Sequence, residues 1–273
     1  MTVEDGSNSR GGLSEVRRSY CKAEANKLLQ TLWVQAPDEI DLESLAHKAG
    51  KLRIEEGGLE NAEGRIVASA SGGTIRVKPG MNSGRRRFTI AHEIGHYMLH
   101  PREGLNREDS AANFTLWNNP GEEAEANVFA AELLMPEFLF RPRAAKGVPG
   151  FALMDRLAAD FSTSVMATAF QYVSYTIEQV ALVVSKGGVI KWSVRSKDFW
   201  PLVRMGSLSA DSAAGEMFAG KSTDTKKMVR TSACAWLPRF ENDSERDLKE
   251  DSRFLEWYDC IVTLLWLEED LSD

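Results

Sequence analysis

The sequence has little of what would place it outside the ordinary globular classes. Cysteine is scarce: Cys21, Cys234 and Cys260 are odd in number and far apart. Neither a disulfide framework nor a cysteine-based metal knuckle is expected, and a reducing cytoplasm is the simplest setting. Long apolar runs are missing. The longest, Cys260 to Leu267, covers eight residues, against roughly 20 for a membrane-crossing helix, so no membrane partner is expected. The first ten residues are polar and acidic and carry no secretory h-region. Basic charge is not in excess: 33 Lys and Arg face 40 Asp and Glu, a net charge of −7, which argues against a generic polyanion binder. Most of the acidity lies at the C-terminal end, where residues 241–273 set twelve acids against Arg246, Lys249 and Arg253. A basic patch elsewhere is compatible with that distribution, although a solvated acidic face is the plain reading. Histidine is rare too, yet three of the four fall at 92, 96 and 100.

Enough apolar material is present for a core. Hydrophobic residues make up 43% of 273, which excludes wholesale disorder and fits one large or two modest domains. Residues 1–12 read as a loose terminus. Apolar spacing predicts a helix from Leu13 to about Val34, and a short one from Asp41, its N-cap, to Gly50. Arg65–Ala68 and Thr74–Val77 flank a Ser-Gly-Gly turn and read as a hairpin. Helices are expected at Arg86–His100 and Glu122–Met135. The polar stretch 101–121 between them reads as a surface loop, long enough to be a lid. One or two further helices fit 151–175. After Glu178 the pattern changes to strands at Val180–Val184, Val189–Val194, Met228–Trp236 and Tyr258–Leu267, with helices near 208–219 and 244–256. The expected architecture is α+β, with a mainly helical domain at 13–177 and an α+β unit at 178–273.

The informative segment is Arg87-Phe-Thr-Ile-Ala-His92-Glu93-Ile-Gly-His96-Tyr97-Met-Leu-His100. On a helix, His92 and His96 stand one turn apart on one face, a spacing that suits two imidazole ligands of a single zinc ion. Glu93, beside the first of them, is placed to act as general base. Zinc lowers the pKa of water it holds from 15.7 towards about 7, which makes hydrolysis of a peptide bond the natural chemistry. A catalytic zinc takes three protein ligands and keeps one position open. The next helix offers Glu122, Glu123 and Glu125. Glu123 heads the stripe Glu123, Asn127, Ala130, Leu134 that faces inward. All three acids also suit the first turn of any helix, where the dipole favours negative charge.

The strings Arg86-Arg-Phe-Thr-Ile-Ala-His-Glu-Ile-Gly-His-Tyr97 and Glu123-Ala-Glu-Ala-Asn-Val-Phe-Ala-Ala-Glu-Leu-Leu-Met-Pro136 resemble the ImmA/IrrE family of bacterial zinc metallopeptidases over about residues 15–175. The resemblance implies a gluzincin-like core with a small sheet, and Zn²⁺ held by His92, His96 and Glu123. It also implies a role in cleaving helix-turn-helix repressors of the XRE type, which switches on mobile-element, defence or DNA-damage operons. In its light, Thr74–Val77, with Ile75 and Val77, becomes a candidate edge strand that takes up an extended substrate. Tyr97 and His100 become candidates for oxyanion or substrate contact, and Asn127 a candidate to orient Glu123.

Residues 153–170 resemble a helix-turn-helix, but Arg156 is the sole base there, so packing is the preferred role. The C-terminal unit is expected to be a sensor of the GAF or PAS sort. Lys221, Lys226, Lys227 and Arg230 form its densest basic cluster, which makes single-stranded DNA a candidate signal beside a small molecule. Two other readings stay open at this point: a non-proteolytic regulator that sequesters its partner, and a DNA-binding regulator whose zinc is structural.

Overall fold

A computed structural model describes residues 13–60, 62–69, 71–100, 105–109, 121–221, 227–241, 243 and 245–268. The chain forms two compact units. The first comprises residues up to Pro136 together with Phe161–Thr163, and the second comprises Glu137–Asp160 and the chain from Ser164 onward. The division by contact thus falls near 136, whereas composition alone suggests a change near 177. Among the described residues no helix is long and apolar enough to cross a membrane.

In the first unit, helix α1 (Glu15–Gln30) starts at Ser14, whose side chain accepts from the Arg17 N–H. It buries Cys21, Ala25, Leu28 and Leu29 along one stripe. Helix α2 (Leu42–Gly50) is capped by Asp41, which accepts from the N–H groups of Glu43 and Ser44. Strands β1 (Leu52–Glu56), β2 (Gly64–Ser69) and β3 (Gly72–Val77) follow, then helix α3 (Ser83–Leu99), strand β4 (Leu105–Asp109) and helix α4 (Glu122–Leu134). The sheet runs in the order β1-β3-β2-β4. Strand β1 pairs with β3 in parallel, and the β3–β2 and β2–β4 pairs are antiparallel. Helix α3 packs on α4 and on β2 and β3, and α1 packs on α4.

The hairpin is therefore present, but its second strand is not an edge. Ile75 and Val77 are fully buried, and β3 is bonded on both sides. It has no free row of backbone groups with which to bind an extended chain, so the substrate role expected of Ile75 and Val77 is corrected. The cause is β1, whose single fully buried position, Leu52, among Arg53, Glu55 and Glu56 gives no visible strand alternation. The expected loop at 101–121 contains β4, and its remaining residues before Gly121 lie outside the described residues.

In the second unit, helices α5 (Glu137–Ala144), α6 (Phe151–Phe161, whose last residue groups with the first unit) and α7 (Val165–Tyr175) precede the strands. Helix α7 is buried from Met166 to Val173, so it has no free face for reading DNA. Strands β5 (Gln179–Lys186), β6 (Val189–Arg195), β7 (Gly206–Ser207), helix α8 (Ala213–Phe218), and strands β8 (Val229–Ser232), β9 (Asp247–Leu255) and β10 (Cys260–Leu267) complete it. They form a six-stranded sheet in the order β7-β6-β5-β10-β9-β8, antiparallel throughout. Central strands β5 and β10 are buried on both faces and read as continuous apolar runs. The segment expected to be helical at 244–256 is instead β9. Its charged run conceals a buried carboxylate: Glu250 has no exposed surface. It accepts from the Ala213 and Ala214 N–H groups, Thr231 Oγ1, Trp236 Nε1 and Ser252 Oγ. A buried charge is tolerable only with such a set of donors.

Adjacent Asp251 is also buried and accepts from the Phe151 N–H at 2.7 Å, with less support than Glu250 has. Burial pushes its carboxyl pKa up, Asp155 and Glu250 add to the rise, and the Phe151 N–H and Arg253 oppose it. An acid raised on folding leaves the native state with more bound protons, so stability falls as pH rises from about 4, the ordinary value, through the native value. Asp251→Asn keeps an acceptor for Phe151 and removes the charge. Its melting temperature relative to the parent should therefore climb as pH rises from about 4, measured by thermal unfolding across pH. Glu250→Ala should do the opposite: it orphans several buried donors at about 1–3 kcal/mol each, enough to unfold the second unit in a urea titration.

Candidate metal centre

Helix α3 begins at Asn82, whose side chain accepts from the Arg85 N–H at 2.9 Å. It carries His92, Glu93 and His96 inward and is capped by His100, all four buried. Helix α4 crosses it closely because position 95 is glycine. A Cβ there would stand 3.1 Å from Phe129 Cδ1 and 3.3 Å from Ala126 Cα, tighter than ordinary contact. That approach brings the first turn of α4 to the histidines.

His92 Nε2 lies 3.0 Å from His96 Nε2. Glu123 closes the set, with Oε2 at 3.3 Å from His92 Nε2 and Oε1 at 3.5 Å from His96 Nε2. The donor atoms of the three residues lie within 4.8 Å of one another. The Glu123 side chain is 34% exposed while that of His96 is 0% exposed, so the set opens to solvent on the glutamate side. Two imidazoles and an ionised carboxylate converging from two helices fit zinc by donor chemistry. Glu122 and Glu125, the other acids of the turn, do not enter this set.

The remaining expected residues fall as follows. Asn127 Oδ1 lies 2.9 Å from His92 Nδ1. The ring N–H donates there and Nε2 keeps its lone pair for an ion, so Asn127 serves His92 rather than Glu123, the partner expected from spacing. Glu93 is fully buried on the side of α3 facing β2, where Gly64 gives it room; a Cβ at 64 would collide with its carboxylate. The Tyr97 ring lies against Gly50 at the end of α2, which gives it a packing role. His100 bridges His96 and Glu125. Glu125 and Arg17, joined by an ion pair, were not singled out by spacing; the one hint is an acid repeated two residues after Glu123. In the second unit, Arg230 is 3.8 Å from Asp247, Lys221 follows α8 and Lys227 precedes β8, and Lys226 lies outside the described residues.

A helix bearing His-Glu-x-x-His, crossed by a second helix that supplies a glutamate, defines a metallopeptidase-like site. Residues 48–171 match the model of the IrrE N-terminal-like domain, Peptidase_M78. That match supports the ImmA/IrrE family for this segment. The chain is also similar to a protein of Bacillus phage phi105, "Uncharacterized immunity region protein 2", with 37% identity over 65 residues. The match spans 24% of this chain and 39% of the phage protein's length. Among solved structures, a Mycobacterium tuberculosis transcriptional regulator aligns with a TM-score of 0.56 at 12% identity, covering 91% of this chain and 76% of that one; this likeness concerns the fold.

With this donor set the purified chain should bind about one zinc ion. His92→Ala, His96→Ala and Glu123→Ala should each weaken binding by more than about 100-fold, beyond what loss of a supporting residue costs, in competition with a chromophoric chelator. Parental affinity in Glu123→Ala would move the third ligand to another acid of the turn.

Proposed function

We propose that this chain is a cytoplasmic zinc-dependent endopeptidase that cleaves a partner XRE-type helix-turn-helix repressor and so derepresses a stress, mobile-element or defence operon. The observation that carries the reading is the convergence of His92, His96 and Glu123 with Glu93 next to the first ligand. A zinc ion held by the three would supply Lewis acidity and acidify water. Glu93 takes the proton from the attacking water as it adds to the peptide carbonyl, and returns it to the amine nitrogen as the C–N bond breaks. Asn127 holds the His92 ring in the tautomer that leaves Nε2 free. The regulatory setting is supported by the family match, by the phage relative's immunity-region title and by the structural neighbour's description as a transcriptional regulator.

A second reading is favoured by one observation, the complete burial of Glu93. A base without solvent access suits a regulator that binds its partner and cuts only after β2 and α3 part.

For the C-terminal unit we favour a GAF/PAS-like sensor of a small molecule over one of single-stranded DNA. Arg230 lies among Glu245, Asp247 and Glu268 in a cleft of mixed charge, and Lys249 pairs with Glu268 at 2.6 Å. Such a surface gives phosphates little net attraction. A second cleft of about 390 Å³, lined by Arg141, Tyr172 and Tyr175 of α5 and α7 and by Glu178 at the start of the strands, is less polar and large enough for a small ligand beside that unit.

Glu93→Gln tests the chemistry. The near-isosteric change should leave zinc content intact and lower repressor cleavage by about 10²–10⁴-fold. Parental cleavage by this variant would remove Glu93 as base. A variant that no longer cleaves but still derepresses in cells would establish the sequestering role.

A further inference from the structure

Behind His96 lies a line of polar side chains that the proposed chemistry does not use. His96 Nδ1 is 3.2 Å from His100 Nδ1. His100 Nε2 is 2.9 Å from Glu125 Oε2. Glu125 is in turn paired with Arg17 at the start of α1. His96, His100 and Glu125 are all buried, so water does not readily substitute for a missing partner.

The direction of each hydrogen bond follows from its far end. Arg17 cannot lose its proton, and its charge keeps Glu125 an ionised carboxylate that can only accept. His100 must therefore place its proton on Nε2 and donate it to Glu125. A neutral His100 then has its lone pair on Nδ1, which accepts from Nδ1–H of His96. His96 in that tautomer has its free lone pair on Nε2, the atom that faces His92 and Glu123. The opposite tautomer would put a hydrogen on Nε2, and an imidazole with both nitrogens engaged as donor and acceptor in that sense cannot hold a cation.

We infer that Arg17, Glu125 and His100 are a positioning relay that locks His96 in its metal-binding tautomer, so that helix α1, outside the metal site, sets the affinity of the site. The inference rests on the reading of His92, His96 and Glu123 as metal ligands. The relay differs from the support of His92, where one neutral amide suffices. It places a full negative charge two imidazole steps from the metal position, which strengthens His96 as a ligand.

The test is zinc affinity of the full chain, by competition with a chromophoric chelator, with the visible spectrum of the cobalt-substituted protein as a second readout. His100→Phe should weaken zinc binding by about 10–100-fold and Glu125→Gln by about tenfold, since the glutamine amide can donate as well as accept and the lock is lost. The double variant His100→Phe/Glu125→Gln should bind no more weakly than His100→Phe alone, because Glu125 acts through His100; losses from two separate packing defects would instead multiply. Arg17→Lys should keep most of the affinity that Arg17→Met loses, and the cobalt bands should shift in the weakened variants. Should His100→Phe not fold, Glu125→Gln and the two Arg17 variants carry the test. Parental affinity across these variants, or multiplicative losses in the double variant, overturns the relay while leaving the metal site in place. A parent chain that binds no zinc overturns the metal reading, and the relay with it.

Discussion

The close crossing of α3 and α4 is the constraint on which the first unit depends. Two imidazoles on one helix can face a carboxylate on another only if the backbones approach more nearly than large side chains allow. Gly95, set against Ala126 and Phe129, makes that approach possible midway between the donor turns. The small residues of α4 continue the theme: Ala124, Ala126, Ala130 and Ala131 are buried with it. Packing density and donor geometry are therefore one requirement. A larger side chain at 95 would spread the helices and separate Glu123 from the histidines before it altered any ligand.

Around that crossing each ligand has its own support, and the supports differ in kind. Asn127 comes from the same helix as Glu123 and meets His92, so the crossing itself sets the His92 ring. His96 meets His100, the residue that caps α3, which in turn meets a carboxylate of α4 paired with a guanidinium of α1. Helix α1 is bound to α4 a second time by Asn26, whose amide donates to Glu132 at 2.9 Å. A buried polar network satisfied across three elements specifies one arrangement of those elements more strictly than apolar contact does.

Much of this was legible in the residues. The His-Glu-x-x-His spacing, the helix that carries it and the second helix with its inward glutamate follow from periodicity and from the rarity of histidine. The central strands β5 and β10 announce themselves as apolar runs. What escaped has a common physical cause: elements whose polar residues are satisfied internally. Strand β9 reads as a charged helix because Glu250 and Asp251 look solvent-facing until their donors are known. Strand β1 hides behind exposed Arg53, Glu55 and Glu56, and without it β3 takes the appearance of an edge. Asn127 has the right neighbourhood in the sequence but its partner, His92, is settled only by the crossing. Residue type states what a group can bond, and only the fold states with what.

The same principle distinguishes the carboxylates of the two units. Glu250 is surrounded by neutral donors from four separate segments of the second unit, and every one of those bonds is complete within the protein, so its charge is spent on architecture. Glu123 meets the Nε2 atoms of His92 and His96, and the tautomers that Asn127 and the inferred His100 relay favour leave those nitrogens as acceptors. Three acceptors facing one another repel unless a cation lies among them. That convergence of donor atoms from two helices, more than the presence of the motif, is the physical reason to read the crossing of α3 and α4 as a metal centre.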